Sequence, residues 1–357
     1  MNPFEIYLLR PPGGGAPPDA ILDVLLRDGR VALAAGDPSR AHYRNPDTGV
    51  FFSLLLASEV TEAWEARLAA ARRAEDEYAP PPPEEAPEEE ANGGRGEEED
   101  DDPEAEEGGE AQFDVEQAPA IITVPLLVME FFMREALAFA ESAARAADLL
   151  VDLHAEAEEG TAAPSSAAIA SAWLKARGDA VAELAEKGDG AFDLQVHAHH
   201  SVRVQLCAWS PAKAAAWWNY GSMCRSLAEE LGPHGIVVPA LKAVRHEGTV
   251  KTLCEWRPGT PCVLPRTDLV LVRREREQKG LFRARKVIEE GLVPNEQLWK
   301  ILAAHSERRT EPAELLVHRS TPPQVAARLD AMALEPIEHA RNALLLGVVD
   351  CEIGKGA

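Results

Sequence analysis

The chain has 357 residues, with 36 Lys or Arg against 60 Asp or Glu, a formal charge of −24. At roughly 150 residues per domain such a length suggests about two domains, and an apolar share of 46% is ordinary for a chain that folds around a core. Composition therefore argues against wholesale disorder, a collagen-like repeat or a small disulfide scaffold, and the acidic balance argues against nucleic acid as a partner.

The N-terminal stretch MNPFEIYLLR has no basic region, long apolar run or small-residue cleavage site, so no secretory signal is expected. Residues 4–9, FEIYLL, suit a strand, and PPGGGAPP at 11–18 reads as a linker. Asp19–Asp28 predicts a short helix with Ile21, Leu22, Leu25 and Leu26 on one face. Residues 40–44 and 50–57 predict a hairpin joined by Asn45–Gly49. Pro46 can set φ for a type I turn there, and Gly49 can take the left-handed bulge position. A helix over Glu59–Ala74 follows.

Charge then concentrates in one place. Residues 75–116 carry 20 Asp or Glu and one basic residue, Arg95, for a net of −19. The other 315 positions hold 35 basic and 40 acidic groups, a net of −5. The segment has no apolar periodicity and is broken by Pro and Gly, so it is expected to be a disordered, self-repelling insert. It reads as a solvated spacer, or as a polyanion shielding a basic surface.

Beyond it, the apolar run 118–133 is interrupted by Pro119, Pro125 and Glu130 and falls short of the roughly 20 residues of a membrane-spanning helix. It predicts a strand at 121–128 and the start of an Ala-rich helix over 130–149. A small-residue break at 160–166 precedes a helix over Ile169–Glu186 and strand character over 192–207. Ser210-Pro211 gives an N-cap and a first-position proline for a helix that Gly232-Pro233 ends. Trp217, Gly221, Cys224, Ala228 and Leu231 recur along it at helical spacing, as core residues do. Strands are expected at 236–245 and 249–256, paired through His246-Glu247-Gly248, with a third at 268–273 after a Pro-bounded loop; short turns imply antiparallel pairing. Helices at 294–304 and 322–332 and a strand at 343–353 complete the reading.

The fold class implied is α+β: antiparallel sheets built from hairpins and packed with helices, interrupted by the acidic insert. Residues 1–74 with 117–158 form an N-terminal block, and 165–357 a C-terminal block.

Residues 273–286, RREREQKGLFRARK, are the basic counterpart of the insert. Arg273, Arg274, Arg276, Lys279, Arg283, Arg285 and Lys286 face only Glu275 and Glu277, a net of +5. A helix at this spacing would spread those charges around its circumference, and one interleaved aromatic provides no stacking platform for single-stranded nucleic acid. The segment is expected to be a solvated connector; nucleic-acid binding through it, held in check by the acidic insert, is the alternative.

The five cysteines, Cys207, Cys224, Cys254, Cys262 and Cys351, are scattered and odd in number, without a C-x-x-C pair. Neither a disulfide framework nor a four-cysteine zinc site is indicated, and a cytoplasmic location is expected. Dinucleotide, nucleotide, zinc-protease, nucleophile-elbow and protein-kinase motifs are absent. Three groupings come close. His197 and His199 would share a strand face, with His200 opposite, but a metal site needs three or four ligands; Asp189 and Asp193 are the nearest candidates. His154-Ala155-Glu156 and Pro261-Cys262 resemble halves of a zinc deaminase signature, yet Pro265 stands where its second cysteine belongs. Glu335 would share a helix face with Glu338 or His339 but lacks a matching partner motif. No catalytic or cofactor-binding residue is assigned, no cofactor is expected, and His197 and His199 remain the metal candidates.

Two stretches, YRNPDTGVFFSL at 43–54 and LGPHGIVVPALKAVRHEGTVKTLCEW with VLPRTDLVLV within 231–272, resemble segments of uncharacterised soluble proteins of GC-rich myxobacteria, related copies of which occur many times per genome. The resemblance covers about a third of the chain and implies no catalytic residue. A many-copy, motif-poor profile is common among immunity proteins that neutralise a partner toxin. The expected function is accordingly a non-enzymatic, cytoplasmic protein-binding module of that kind, with a protein partner and neither membrane nor nucleic acid as its target. An enzyme with a metal or His-based site near His197/His199 is the alternative. The oligomeric state is not legible.

Overall fold

In a computed structural model that describes residues 3–11, 13–78, 118–153, 164–186, 191–197, 200–279, 284–343 and 345–350, the first half of the chain builds one sheet. Its elements are β1 (Phe4–Leu9), α1 (Pro18–Arg27), β2 (Val31–Ala34), β3 (Asp37–Arg44), β4 (Phe51–Leu56), α2 (Ser58–Tyr78), β5 (Ala120–Val124), α3 (Glu130–Ala147) and β6 (Leu150–Asp152). The strands lie in the order β2-β3-β4-β5-β1-β6, every neighbour antiparallel. β1 is a central strand, and its alternating side chains enter two clusters: Ile6 and Leu8 the main core, Tyr7 and Leu9 a smaller one on the other face. β5 stops before Pro125, which has no N–H for the ladder. α3 then lays Phe131, Phe132, Ala136, Phe139, Ala140 and Ala143 into the main core. It ends where Asp148 turns left-handed at φ 51°.

β4 and β5 are hydrogen-bonded neighbours, with Leu54 opposite Ile122, so the acidic segment is an excursion between adjacent strands. Its first four residues, 75–78, continue α2, a correction to the expected helix end at Ala74. The rest of the expected disordered insert lies outside the described residues.

The second half contributes α4 (Ser166–Glu186), β7 (Ala191–His197), β8 (His200–Gln205), β9 (Cys207–Ala208), α5 (Pro211–Leu231), β10 (Lys242–His246), β11 (Thr249–Trp256), β12 (Cys262–Pro265), β13 (Leu269–Lys279), β14 (Ala284–Pro294), α6 (Asn295–Leu302), β15 (Glu307–Arg309), β16 (Leu315–His318), α7 (Pro323–Asp330), β17 (Ala340–Asn342) and β18 (Val348–Val349). A five-stranded sheet runs β14-β13-β11-β10-β17 and a three-stranded one β12-β16-β15; β18 pairs with β9, and β7 with β8. The fold is α+β, as expected.

Ser210 caps α5 by accepting the Lys213 N–H at 3.2 Å, as its sequence signal predicts. The main core also takes in Ile169 and Trp173 of α4, Trp217 of α5 and Leu345, so residues beyond 165 help to close it. Near the end of the described chain, Asp350 accepts the Glu130 N–H at the start of α3 (3.0 Å) and pairs with the buried Arg177 of α4.

Several expectations are corrected. The third strand of the second half, β13, runs parallel to β11, because the Pro-bounded loop contains β12, which joins another sheet and returns the chain in its original direction. The strand expected from 236 begins only at Lys242; Val237 instead bridges Cys262 in parallel, and Pro239 has no N–H to continue a ladder. The apolar end at 343–353 pairs only at Val348–Val349, and 351–353 lie outside the described residues. The described parts of the basic stretch, 273–279 and 284–286, are strand and not helix. They supply the ends of a long antiparallel hairpin, in which β13 and β14 pair without a register break from Leu269–Pro294 to Lys279–Ala284. Period-two alternation of Arg with Glu in RRERE suits a strand better than a helix.

Candidate functional site

The turn between β3 and β4 is tied down by side chains from two helices. Its spacing does the first part of the work: Tyr43 and Asn45, two apart, point to one side of the sheet, and Thr48 closes the turn beside them. All three donate to one carboxylate. Tyr43 Oη and Asn45 Nδ2 each lie 2.6 Å from Glu135 Oε1, and Thr48 Oγ1 lies 3.0 Å from Oε2. Glu135 stands on α3 one turn from Phe131 and Phe139, and its side chain is 11% exposed. Burial of Tyr43 itself, and then the hydrogen bond to Glu135, push its phenol well above the usual range, so Tyr43 stays a neutral donor. Within the loop, Asn45 Oδ1 accepts the Asp47 N–H at 3.1 Å and the Gly49 N–H reaches the Asn45 carbonyl at 2.8 Å. Gly49 takes the left-handed φ of 75° that the sequence predicts for it.

α5 clamps the loop from the opposite side. Trp217 Nε1 donates to the Thr48 carbonyl at 2.7 Å. Gly221, one turn on, lies so close that an added Cβ would stand 2.4 Å from the Asp47 carbonyl oxygen. A helix face and a hairpin turn meet here with no room for a side chain, which explains the glycine in the middle of an α-helix.

Around this fixed loop opens a cleft of about 1100 Å³ between the α1–β2 connection, the turn, α3 and α5. A second hollow of about 450 Å³ shares Asp28, Arg30, Glu135 and Ala138 in its wall. Four guanidinium groups line the larger cleft: Arg30, Arg44, Arg134 and Arg225. Arg30 is oriented by Asp28 through Nε at 2.8 Å and Nη2 at 2.5 Å, and sits 5.0 Å over the Tyr43 ring. That pairing holds the Asp28 carboxyl below the usual carboxylate range. Arg134 lies 5.1 Å over the Trp218 ring. Arg225 is only 3.8 Å from Asp47 and largely exposed. Arg44 is exposed and makes no ion pair among the described residues.

Chemically the cleft offers four guanidinium groups and the Trp218 ring. Glu135 already accepts three neutral donors, which leaves it poorly placed as a base. The Cys224 thiol is pushed up to about 11 by burial, and burial also raises Cys254, to about 12, and Cys262, so at neutral pH they are thiols and not thiolate nucleophiles. No group of three or more His, Cys, Asp or Glu among the described residues could hold a metal ion.

The residues singled out from sequence lie elsewhere. β7 ends at His197 and β8 begins at His200, the two facing each other across an antiparallel pair, so the expected continuous strand over 192–207 is corrected to separate strands. His199, Asp189, His154 and Glu156 lie outside the described residues, as does Cys351. Glu335, Glu338 and His339 do not share an α-helix; 337–339 form a single 3-10 turn. Glu335 instead accepts from the buried His246 Nε2 at 2.8 Å and contacts His339 Nδ1 at 3.2 Å. Lys251 donates to His246 Nδ1, which leaves Nε2 as the nitrogen carrying the hydrogen for Glu335.

The described cations of the basic segment are matched by carboxylates. Arg273 meets Glu255 and Glu290, Arg274 and Arg276 share Glu289 at 2.8 Å each, and Lys286 reaches Glu275 at 3.0 Å. Arg274 is buried and also donates to the Leu329 and Met332 carbonyls, so it is an anchor for α7 and not part of a solvated connector. For Lys279 and Arg285 only the backbone is placed, and Arg283 lies outside the described residues.

Sequence reading treated Asn45-Pro46-Asp47 as turn chemistry alone and did not single out Glu135 or Arg30. One signal was available: Glu135 sits on the same helical stripe as Phe131 and Phe139, where a carboxylate demands buried donors. No protein-family model, no curated protein and no solved structure matches this chain.

Proposed function

We propose that the protein is a non-enzymatic protein-binding module of the immunity type, acting in the cytoplasm, and that it docks its partner through the cleft around the β3–β4 turn. One observation carries the reading: four arginines and Trp218 surround a loop that is fixed from both sides, by Glu135 below and by Trp217 and Gly221 above. Arg and Trp dominate the energetics of protein interfaces, and a surface that needs no ordering on binding loses little entropy. Guanidinium groups favour a partner segment rich in carboxylates, which would also be steered towards the cleft. No helix among the described residues is long and apolar enough to cross a membrane.

Co-expression with toxins encoded beside its gene tests the proposal. Growth rescued by the wild type, and lost on changing Arg134 and Arg225 together to Glu, is expected. Failure to neutralise any neighbour, or rescue indifferent to those two charges, would overturn it.

A further inference from the structure

After Trp256 the chain leaves the five-stranded sheet, turns, and enters the three-stranded sheet as β12. Where the two sheets part, a hollow of about 460 Å³ opens, within the size range of small-molecule sites. Its lining comes from the 237–240 segment, the start of β10, the end of β11, the turn that follows, and Arg273 on β13.

The walls are fixed before anything binds. The Val237 N–H donates to the Pro261 carbonyl at 3.0 Å, and the Val263 N–H to the Val237 carbonyl at 2.8 Å. The Pro239 carbonyl accepts from the buried Tyr220 hydroxyl at 2.8 Å. At the end of β11, Arg257-Pro258-Gly259-Thr260 forms a type II turn. The Thr260 N–H reaches the Arg257 carbonyl at 3.0 Å, and Gly259 takes the positive φ, 86°, that the third position requires. Trp256 Nε1 donates to the Thr260 carbonyl at 3.3 Å and ties this turn to its strand. Val237 is therefore pinned through its backbone on both sides, yet its side chain is 52% exposed. With Pro239, Ala240 and Trp256 it forms the apolar part of the lining.

The charged part centres on Glu255. Lys242 donates to it, and Arg273 Nη1 stands 3.5 Å from its other oxygen. Arg273 Nε lies 3.2 Å from Glu290, too poorly aligned for a hydrogen bond. Two carboxylates thus answer two cations of the wall. The third, Arg257, is exposed and forms no ion pair among the described residues. It stands near enough to Glu255 to add to the effect of Lys242 and Arg273, which hold that carboxyl below the usual range. These five groups leave one positive charge beside an apolar surface.

A ligand with one carboxylate and an apolar body matches both parts. The guanidinium fork takes the two oxygens of a carboxylate side by side, and the apolar body removes Val237 and its neighbours from water. A dianion would bring a second charge towards Glu255 with no cation left to answer it.

We propose that this hollow binds a small organic acid, an aryl or alkyl monocarboxylate. Arg257 holds the carboxylate, and Val237, Pro239 and Trp256 cover the apolar body. No residue lining this hollow also lines the arginine cleft beside the β3–β4 turn, so the proposal stands apart from the function assigned to that cleft.

Calorimetric titration of the full chain with benzoate, 2-naphthoate and octanoate, each beside its neutral amide, tests the site. At least one acid should bind saturably, with its amide and acetate weaker by about tenfold or more. Arg257→Gln should weaken that acid by about tenfold or more. Val237→Asp, which sets a carboxylate at the mouth, should do the same. Both side chains are exposed, so the melting temperature should hold in each variant. Changing Arg134 and Arg225 together to Glu should leave the affinity as it was. Saturable binding by none of the three acids overturns the proposal. So does binding that the amide matches or that Arg257→Gln leaves intact. Binding abolished by the Arg134 and Arg225 changes also overturns it, by placing the anion in the other cleft.

Discussion

The β3–β4 turn and the β13–β14 hairpin hold carboxylates in opposite ways. At the turn, Glu135 is surrounded by a phenol, an amide and a hydroxyl, with Arg30 only at 3.6 Å. On the hairpin, Glu289 is gripped by two guanidinium groups, and Arg274 must also satisfy the two carbonyls that close α7. Neutral donors fix a geometry that salt leaves alone, whereas ion pairs near the surface weaken as salt screens them. The first arrangement suits a surface that must present a fixed shape. The second suits a strand pair held at its root.

That contrast can be broken most severely at Arg274. Arg274→Ala leaves two carbonyls without their donor and Glu289 with Arg276 alone, and an unfolding titration should show a loss of about 3–5 kcal/mol, the usual cost of breaking a buried pair. Gly221→Ala forces a methyl group against the Asp47 carbonyl; a loss of about 1–3 kcal/mol is expected from overpacking, together with weaker partner binding because the turn must shift. Glu135→Gln keeps one carbonyl oxygen but sets an NH2 group against the donors on the other side, and should destabilise by about 2 kcal/mol. That loss should be the same in low and high salt, while the loss in Arg276→Ala should shrink with salt; the reverse pattern would erase the distinction drawn here.

Acid sharpens the comparison further. His318, on β16 in the core beside the hairpin, is fully buried between Ser306 and Thr321, and burial holds its imidazole below the ordinary 6.5. Between that lowered value and 6.5 the unfolded chain binds more protons than the folded one. Stability is therefore complete above about 6.5 and falls as pH drops through this window. His318→Gln should flatten that slope in pH-dependent melts, and an unchanged slope would place the acid sensitivity elsewhere.

The smallest effect is expected from replacing residues 79–117. α2 carries the chain away from the β4–β5 pair for 21 residues, about 30 Å at 1.5 Å per residue. A substitute must therefore span that distance, at least about ten extended residues. With a flexible linker of that length or more, the melting temperature should stay nearly unchanged, because loop-closure entropy grows slowly with length. A fall of several degrees would show that the acidic segment packs.

Elements with strong local chemistry were legible. Ser210-Pro211 announced α5, Asn45–Gly49 announced the hairpin, and Glu247-Gly248 takes the paired positive φ values of a tight two-residue turn. The basic stretch misled because charge was counted before period: RRERE alternates at two, and its glutamates stood ready to neutralise the arginines across the hairpin. β12 hid in a Pro-bounded loop because four buried residues carry too little pattern to separate a strand from a turn.

The sequence by itself determined the α+β class, most element positions, and the concentration of a net −19 in one excursion, since each of these follows from local pattern or composition. Only the tertiary structure decided which strands are neighbours, that β11 and β13 run parallel, and that Tyr43, Asn45 and Thr48 converge on a glutamate some 90 residues away. A carboxylate on a helix and an amide in a turn carry no mark of each other in the chain. Their meeting is fixed by how α3 and the first sheet pack, and by the cost of leaving either group buried without a partner.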